Sequence, residues 1–491
     1  MSFKTDWSFL DKITMGAIGT KKVIQILNSE GHNIIELERY STSNKIWKTK
    51  IKRLRMPDLI CLHCGKKIES RAKSQLKIIM SDAENNDNRR WFSGLRDNDM
   101  VAFINCYKDE LNKWVPKDTV NIFSVGDMKL AKQTKLSGRK GASEGSEQDR
   151  RWDSYTPSFN FTVTEMVKES NGIRIKFKND SGQKRSKLIK NDHYIYVKKG
   201  DTFEENSKIV SGVIPINHTC CCSKGQYDFF SDLTSEIPET KYAAVKALGY
   251  LPKTQKTIVE LKKIGTDRST DNRIRLEAYA SLLRLGEDYW KSIHDFVFAL
   301  DDSAIKMEYV LIMGELNGIQ SCKTSSELLN IIKEPSKNAE LKAAAIWSLP
   351  SVAGVLRQVI NCCFSSDETI RNHAIAKIEK NFLPELTNPI LEVIGSDDFK
   401  NAICVHILTN SANVDCSTIV RYYVAESDVN IRRWILFVIG LSGSQKYITL
   451  IQEIDPNAKH TIAKIEIMWR CFAKAISEDQ ANNIRFIKKQ N

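Results

Sequence analysis

One pattern recurs at intervals of about 30 residues through the second half of the chain. A short polar start, at Glu239, Asn272, Ser303, Glu340, Glu368, Asp398 and Asp428, leads each time into an apolar stretch. Those stretches include YAAVKALGYL, LEAYASLLRLG, MEYVLIMGELNG, NHAIAKIEKNF and RWILFVIGLSG, with apolar residues at helical spacing. Partner helices are expected between them, for example at 257–264 and 326–332. A pair of such helices cannot bury its apolar face alone, so neighbours must stack. Residues 236–491 are therefore expected to form an α-solenoid.

The first half has a different grammar. In residues 1–125, Ile18, Val23, Ile24, Ile26 and Leu27 predict a helix that ends at Gly31. Strand candidates follow at 32–51, 100–107 and 119–125. Residues 126–151 are rich in Gly, Ser, Lys and Glu and read as an exposed loop or linker. Residues 152–235 alternate apolar and polar positions at 159–163, 173–177 and 194–210, which predicts a small β module with a cysteine-containing junction. The fold class is thus multidomain: α/β, then β, then α.

Residues 56–74 carry the chemistry. They read as a hairpin with a tight turn at His63-Cys64-Gly65. Side chains alternate along a strand, so Glu69, Arg71 and Lys73 share a face, and Asp58 on the neighbouring strand can point to the same spot. Two carboxylates and a cation on a sheet face can hold a divalent metal against a phosphodiester. Glu36 and Glu38 on a neighbouring strand candidate read as solvated acids, with one of them as an extra metal ligand the alternative.

Charge concentrates around this hairpin. The net charge is +13, yet residues 236–491 hold 32 basic and 31 acidic side chains, whereas residues 1–150 hold 28 and 19. Lys48, Lys50, Lys52, Arg53, Arg55, Lys66, Lys67 and Lys77 surround the acid pair. Such a field suits a polyanion, with DNA the expected partner and the lysines and arginines holding its phosphates.

The Pro57-Asp58 and Glu69 spacing, with the preceding helix and strand, resembles the PD-(D/E)XK nuclease superfamily, whose core is a restriction-endonuclease-like fold. The resemblance implies that Asp58 and Glu69 bind Mg2+ or Mn2+, helped by the Ser70 carbonyl. It also wants a lysine two positions after Glu69. Arg71 stands there; an arginine cannot act as a base but can stabilise charge on phosphate, and Lys73 lies further along the same face. The implied activity is metal-dependent endonuclease action in restriction or anti-phage defence. The alternative is a non-catalytic DNA-binding or scaffold protein with a degenerate nuclease fold. The helical array resembles HEAT repeats, which implies a surface for a protein partner or for the duplex. Its basic positions Lys241, Arg275, Lys306, Lys342, Arg371 and Arg432 read as a stacking ladder with turn aspartates, pairing Asp302 with Lys306, Asp367 with Arg371 and Asp428 with Arg432. The segment Val197-Lys198-Lys199-Gly200-Asp201, with Gly212, resembles part of a barrel-sandwich hybrid without its attachment lysine.

Twelve cysteines in a chain this long are not a disulfide framework, and several lie in apolar helical stretches. A reducing, cytoplasmic setting is expected, with no leader and no membrane span. Cys61-x-x-Cys64 sits in the hairpin turn. His218, Cys220, Cys221 and Cys222 can supply the rest of a four-ligand zinc site, with Cys61, Cys64, Cys220 and Cys222 as one set and free thiols as the alternative.

Overall fold

The computed structural model describes residues 7–37, 56–75, 77–83, 90–110, 112–135, 148–190, 192–204, 210–220, 227–442 and 444–468. It divides into two compact units, Met1–Glu308 and Tyr309–Asn491.

The chain opens on helix α1 (Trp7–Ser29), longer than its periodicity predicted. Gly31 at φ +85° ends it, and the His32 N–H turns back to the Leu27 carbonyl at 3.1 Å. Strands β1 (Ile34–Glu36), β2 (Leu59–Cys61) and β3 (Lys67–Lys73) follow, then β4 (Ile79–Asp82), β5 (Met100–Lys108) and β6 (Trp114–Ser124). Five of these form one sheet in the order β1-β2-β3-β5-β6. All its neighbours are antiparallel except β3 and β5, which run parallel from Ile68↔Met100 to Lys73↔Asn105. Of the strand expected at 32–51, Ile34–Glu36 is present; residues 38–55, and with them Glu38, lie outside the described residues.

Each sheet face has its own core. On one, Val23 and Leu27 of α1 pack on Leu59, Ile68, Ala102, Ile104 and Ile122. On the other, Val101, Phe103 and Phe123 meet Trp91 and Trp152. Burying each such side chain contributes about 1.5–3 kcal/mol, which anchors α1 to the sheet. The approach is tightest at Gly19, where an added Cβ would lie 2.6 Å from the Ala72 Cβ and 2.9 Å from Ile104 Cγ2.

Residues 126–151 depart from the loop reading. They hold helix α2 (Val125–Leu130) and strands β7 (Gln133–Lys135) and β8 (Gln148–Trp152); residues 136–147 lie outside the described residues. Strands β7 and β8 join β4 in a three-stranded sheet. Trp152 explains the difference: its ring is fully buried and its indole N–H donates to the Met128 carbonyl at 2.7 Å. One aromatic side chain anchors a segment whose composition is otherwise that of a linker.

The β module is present as two small sheets. Strands β10 (Phe161–Glu169), β11 (Gly172–Asn179), β12 (Lys184–Ile189) and β14 (Thr202–Phe203) form one; β9 (Ser154–Tyr155), β13 (Tyr194–Ile195) and β15 (Val210–Ser211) form the other. Phe161, Phe177, Ile189 and Val197 fill the space between them.

The C-terminal part is helical, with helices at Asn272–Arg284, Ala339–Ser348, Glu368–Lys380, Asp398–Asn410 and Val429–Leu441, close to the expected starts. The helix Ser303–Lys333 breaks at Gln320 (φ −139°, ψ 53°) and includes the partner helix expected at 326–332. The earliest helices belong to the first unit: Lys246 Nζ donates to the Leu37 carbonyl at 3.3 Å. The compact boundary therefore falls within Ser303–Lys333 rather than at residue 235.

The turn aspartates do not pair with the cations four positions on. Asp302, Asp367 and Asp428 accept hydrogen bonds from backbone N–H groups of the helices they precede, at 2.7–3.2 Å. The cations pack elsewhere. Arg275 donates to the Gly265 carbonyl at 3.1 Å and lies 4.4 Å from the Phe296 ring centroid. Arg371 donates to the Ser365 carbonyl at 2.8 Å, and Arg432 lies 5.1 Å from the Tyr423 ring centroid. These arginines tie neighbouring turns and helices together, as a ladder would, by carbonyl and aromatic contacts instead of ion pairs.

The α1–sheet contact predicts opposite effects of one methyl group at two glycines of the same helix. Gly19→Ala should destabilise the first unit by about 1–3 kcal/mol through overpacking. Gly16→Ala, with nothing within 4 Å of its added Cβ, should stabilise it by about 0.5–1 kcal/mol through helix propensity. Chemical denaturation followed by the Trp152 environment measures both; equal shifts for the two would contradict the close approach.

Candidate active site

Strand β2 pairs with β3 over only two residues, Leu59↔Ile68 and Ile60↔Lys67. The next step of that register sets Asp58 across from Glu69. Beyond it, no described strand pairs with residues 70–73 on that side. The Ser70 N–H on this edge is taken by Asp58, whose Oδ2 accepts it at 2.8 Å. Asp58 is itself held by the Leu37 N–H, which donates to its backbone carbonyl at 2.8 Å.

The faces of β3 divide as alternation requires. Ser70 and Ala72 turn toward α1, where the Thr20 hydroxyl donates to Ser70 Oγ at 3.0 Å and Gly19 meets Ala72. Glu69, Arg71 and Lys73 fall on the other face. Glu69, with its side chain 13% exposed, forms an ion pair with the Arg71 guanidinium. Beside Lys73, on β5, Asn105 is buried. Asp58, Ser70, Arg71 and Lys73 line a cavity of ≈ 540 Å³, closed by Asp11, Lys12 and Thr20 of α1 and by Trp114 of β6. Of the hairpin residues singled out in the sequence, Asp58, Ser70, Arg71 and Lys73 share this cavity, whereas Glu69 is not in its lining and pairs with Arg71. Carboxylate and main-chain carbonyl oxygens are the donors a hard divalent cation takes, whereas the Arg71 and Lys73 cations are suited to phosphate oxygens instead.

The surrounding basic residues divide differently. Lys67 does not serve as a phosphate contact. It is 2% exposed, and its ammonium donates to the Gly94 carbonyl at 2.5 Å and to Thr240 Oγ1 at 3.3 Å. Burial lowers its pKa, against the raising effect of Asp99. Its place on the inner sheet face decides this: Lys67 is buried by residues far away in sequence, which charge density alone does not reveal. Lys66 is half-buried and Lys77 exposed, while Lys48, Lys50, Lys52, Arg53 and Arg55 lie outside the described residues.

At the opposite end of the hairpin, four metal-ligating side chains converge: His32, Cys61, Cys64 and Cys220, with their ligand atoms within 4.8 Å of one another. Cys222 and Cys221 lie outside the described residues, and His218 contributes its carbonyl rather than its ring. His32 was missed in the sequence. The only local signal was its place directly after the helix-ending Gly31. A hydrogen bond from the Cys64 thiol, opposed by burial and aided by His32, pulls the Cys61 pKa down to about 3, and the same bond pushes Cys64 up. No described cysteine forms a disulfide.

No family model and no curated protein matches the chain. Among solved structures, that of YibA from Escherichia coli aligns with 50% of this chain and 91% of its own, at 12% identity and a TM-score of 0.25. A likeness at that level carries no argument. No described helix is long and apolar enough to cross a membrane.

The Asp58 contact makes a stability prediction separate from any chemistry. Asp58→Ala leaves the Ser70 N–H without its acceptor and should cost about 1–3 kcal/mol. Asp58→Asn keeps an oxygen in place and should cost less than half as much. Urea unfolding of both variants tests this; equal losses would mean the hydrogen bond does not hold the strand edge.

Proposed function

We propose that this protein is a metal-dependent endonuclease that hydrolyses phosphodiester bonds in DNA. One observation carries the reading: Asp58 reaches β3 beside Glu69, its Oδ2 accepting the Ser70 N–H at 2.8 Å, and Asp58, Ser70, Arg71 and Lys73 line one cavity at that strand edge. On this reading Asp58, Glu69 and the Ser70 carbonyl hold Mg2+ or Mn2+. When bound, such an ion makes a water nucleophile accessible near neutral pH and offsets charge building on the phosphate.

The chain's own side chains supply the rest. Asp58 cannot swing away without releasing the Ser70 N–H, which holds the carboxylate at the strand edge. The Arg71 guanidinium compensates the part-buried Glu69 charge and can exchange that role for a phosphate oxygen, to which its planar fork is matched. Lys73 and Lys12 line the cavity and hold the flanking backbone, a contact that is independent of sequence and weakened by salt. The helical C-terminal part, read as HEAT-like repeats, offers a surface for a protein partner. Its near-neutral charge and its internally packed arginines argue against a groove for the duplex.

Plasmid and linear DNA incubated with Mg2+ or Mn2+, and with EDTA, test the reading. Cutting should depend on the metal and fall at least about 100-fold in both Asp58→Asn and Glu69→Gln. Arg71→Ala and Lys73→Ala assign the cation, the larger loss marking the one that meets the scissile phosphate. Tight DNA binding with no cutting under any of these conditions would replace the proposal with a non-catalytic DNA-binding protein built on the same fold.

A further inference from the structure

We infer that His32, Cys61, Cys64 and Cys220 form a structural zinc site that clips three separate segments together at the turn end of the acid-bearing hairpin. His32 follows α1, Cys61 and Cys64 flank the β2–β3 turn, and Cys220 lies in the segment after β15. The inference does not depend on nuclease activity.

The geometry fits one tetrahedral ion. Zn–S bonds of about 2.3 Å and Zn–N bonds of about 2.0–2.1 Å require S···S edges of about 3.8 Å and S···N edges of about 3.6 Å. Cys64 Sγ lies 3.8 Å from His32 Nδ1, and all ligand atoms are within 4.8 Å of one another. Closing the site needs only a small contraction.

The shell behind the ligands is already in place. His32 Nε2 lies 2.8 Å from the His218 carbonyl, so its proton sits on Nε2 and the Nδ1 lone pair faces the thiols. The turn is set by backbone bonds: the Gly65 N–H donates to the Cys61 carbonyl and the Cys61 N–H to the Lys66 carbonyl, both at 2.9 Å. Gly65 adopts φ +66° with the Tyr227 ring where a Cβ would be, so no other residue closes this turn. The Cys220 N–H donates to the Glu30 carbonyl at 2.9 Å, which positions the ligand most distant in sequence.

Ligand type and number decide the kind of site. Three sulfurs and one imidazole select zinc over hard cations, and four protein ligands leave no position open for a substrate. The site is therefore structural. Its effect reaches Asp58 through the hairpin, because the clipped turn holds the Leu59↔Ile68 register next to which Asp58 bonds to the Ser70 N–H.

Metal content of the full-length protein, purified under reducing conditions, provides the test. Wild type should carry about one zinc per chain and no iron. Cys64→Ser and His32→Ala should each fall below about 0.2, whereas Cys222→Ser should keep the full complement. Should the first two variants fail to fold, wild type alone decides: a mercurial reagent should release one zinc, and cobalt exchange should give the intense visible bands of a tetrahedral thiolate site. Less than about 0.1 zinc per wild-type chain, zinc retained in His32→Ala, or a disulfide between these cysteines in the native protein would overturn the inference.

Discussion

Strand β3 is bonded unequally on its two sides. It runs parallel to β5 over six residues but pairs with β2 over two, so one edge of its second half meets no described strand. A strand edge inside a folded domain needs partners for its N–H and C=O groups. Here a carboxylate serves: Asp58 takes the Ser70 amide. The cavity lies beside the same edge, lined by Asp58, Ser70, Arg71 and Lys73. A longer β2 would pair the edge and remove the cavity and the carboxylate's place together.

The hairpin carries different chemistry at its two ends. At the open end Asp58 bonds to the Ser70 N–H and Glu69 pairs with Arg71, and three thiols with an imidazole gather at the turn. The strands between them are buried on both faces: Leu59, Cys61 and Ile68 pack in the α1 core, and on the other side Ile60 is buried and Lys67 reaches the Gly94 carbonyl and Thr240. Buried Asp99 adds a further fastening, accepting the Lys67 N–H at 2.9 Å and the Arg96 N–H at 2.7 Å. A register slip of one residue would turn Glu69 and Arg71 toward α1 and Ile68 away from its core. The turn-end contacts and the buried carboxylate therefore hold the acid pair on the correct face.

The two halves of the chain differ in how far local sequence reached. In the helical part, each start was followed by its helix within a residue or two, because a 3.6-residue period and an N-capping aspartate are local signals. The aspartates were legible as turn residues, but their partners were not. A carboxylate three bonds from its own backbone meets the next N–H groups before it meets a long side chain. Residues 126–151 show the opposite error: Gly, Ser and Lys content read as a linker, while burial of Trp152 by Met128 and Trp91 set the structure.

From the sequence alone came the element types, the shared face of Glu69, Arg71 and Lys73, the nearness of Asp58 to that strand, and the recurrence of the helices. These rest on short-range periods that any window of the chain displays. Tertiary structure alone decided that Lys67 is a buried donor rather than a surface cation. It also decided that His32, whose ring reaches a carbonyl 186 residues away, completes the thiol cluster. No local pattern encodes such meetings, because they depend on which distant backbone the fold brings alongside.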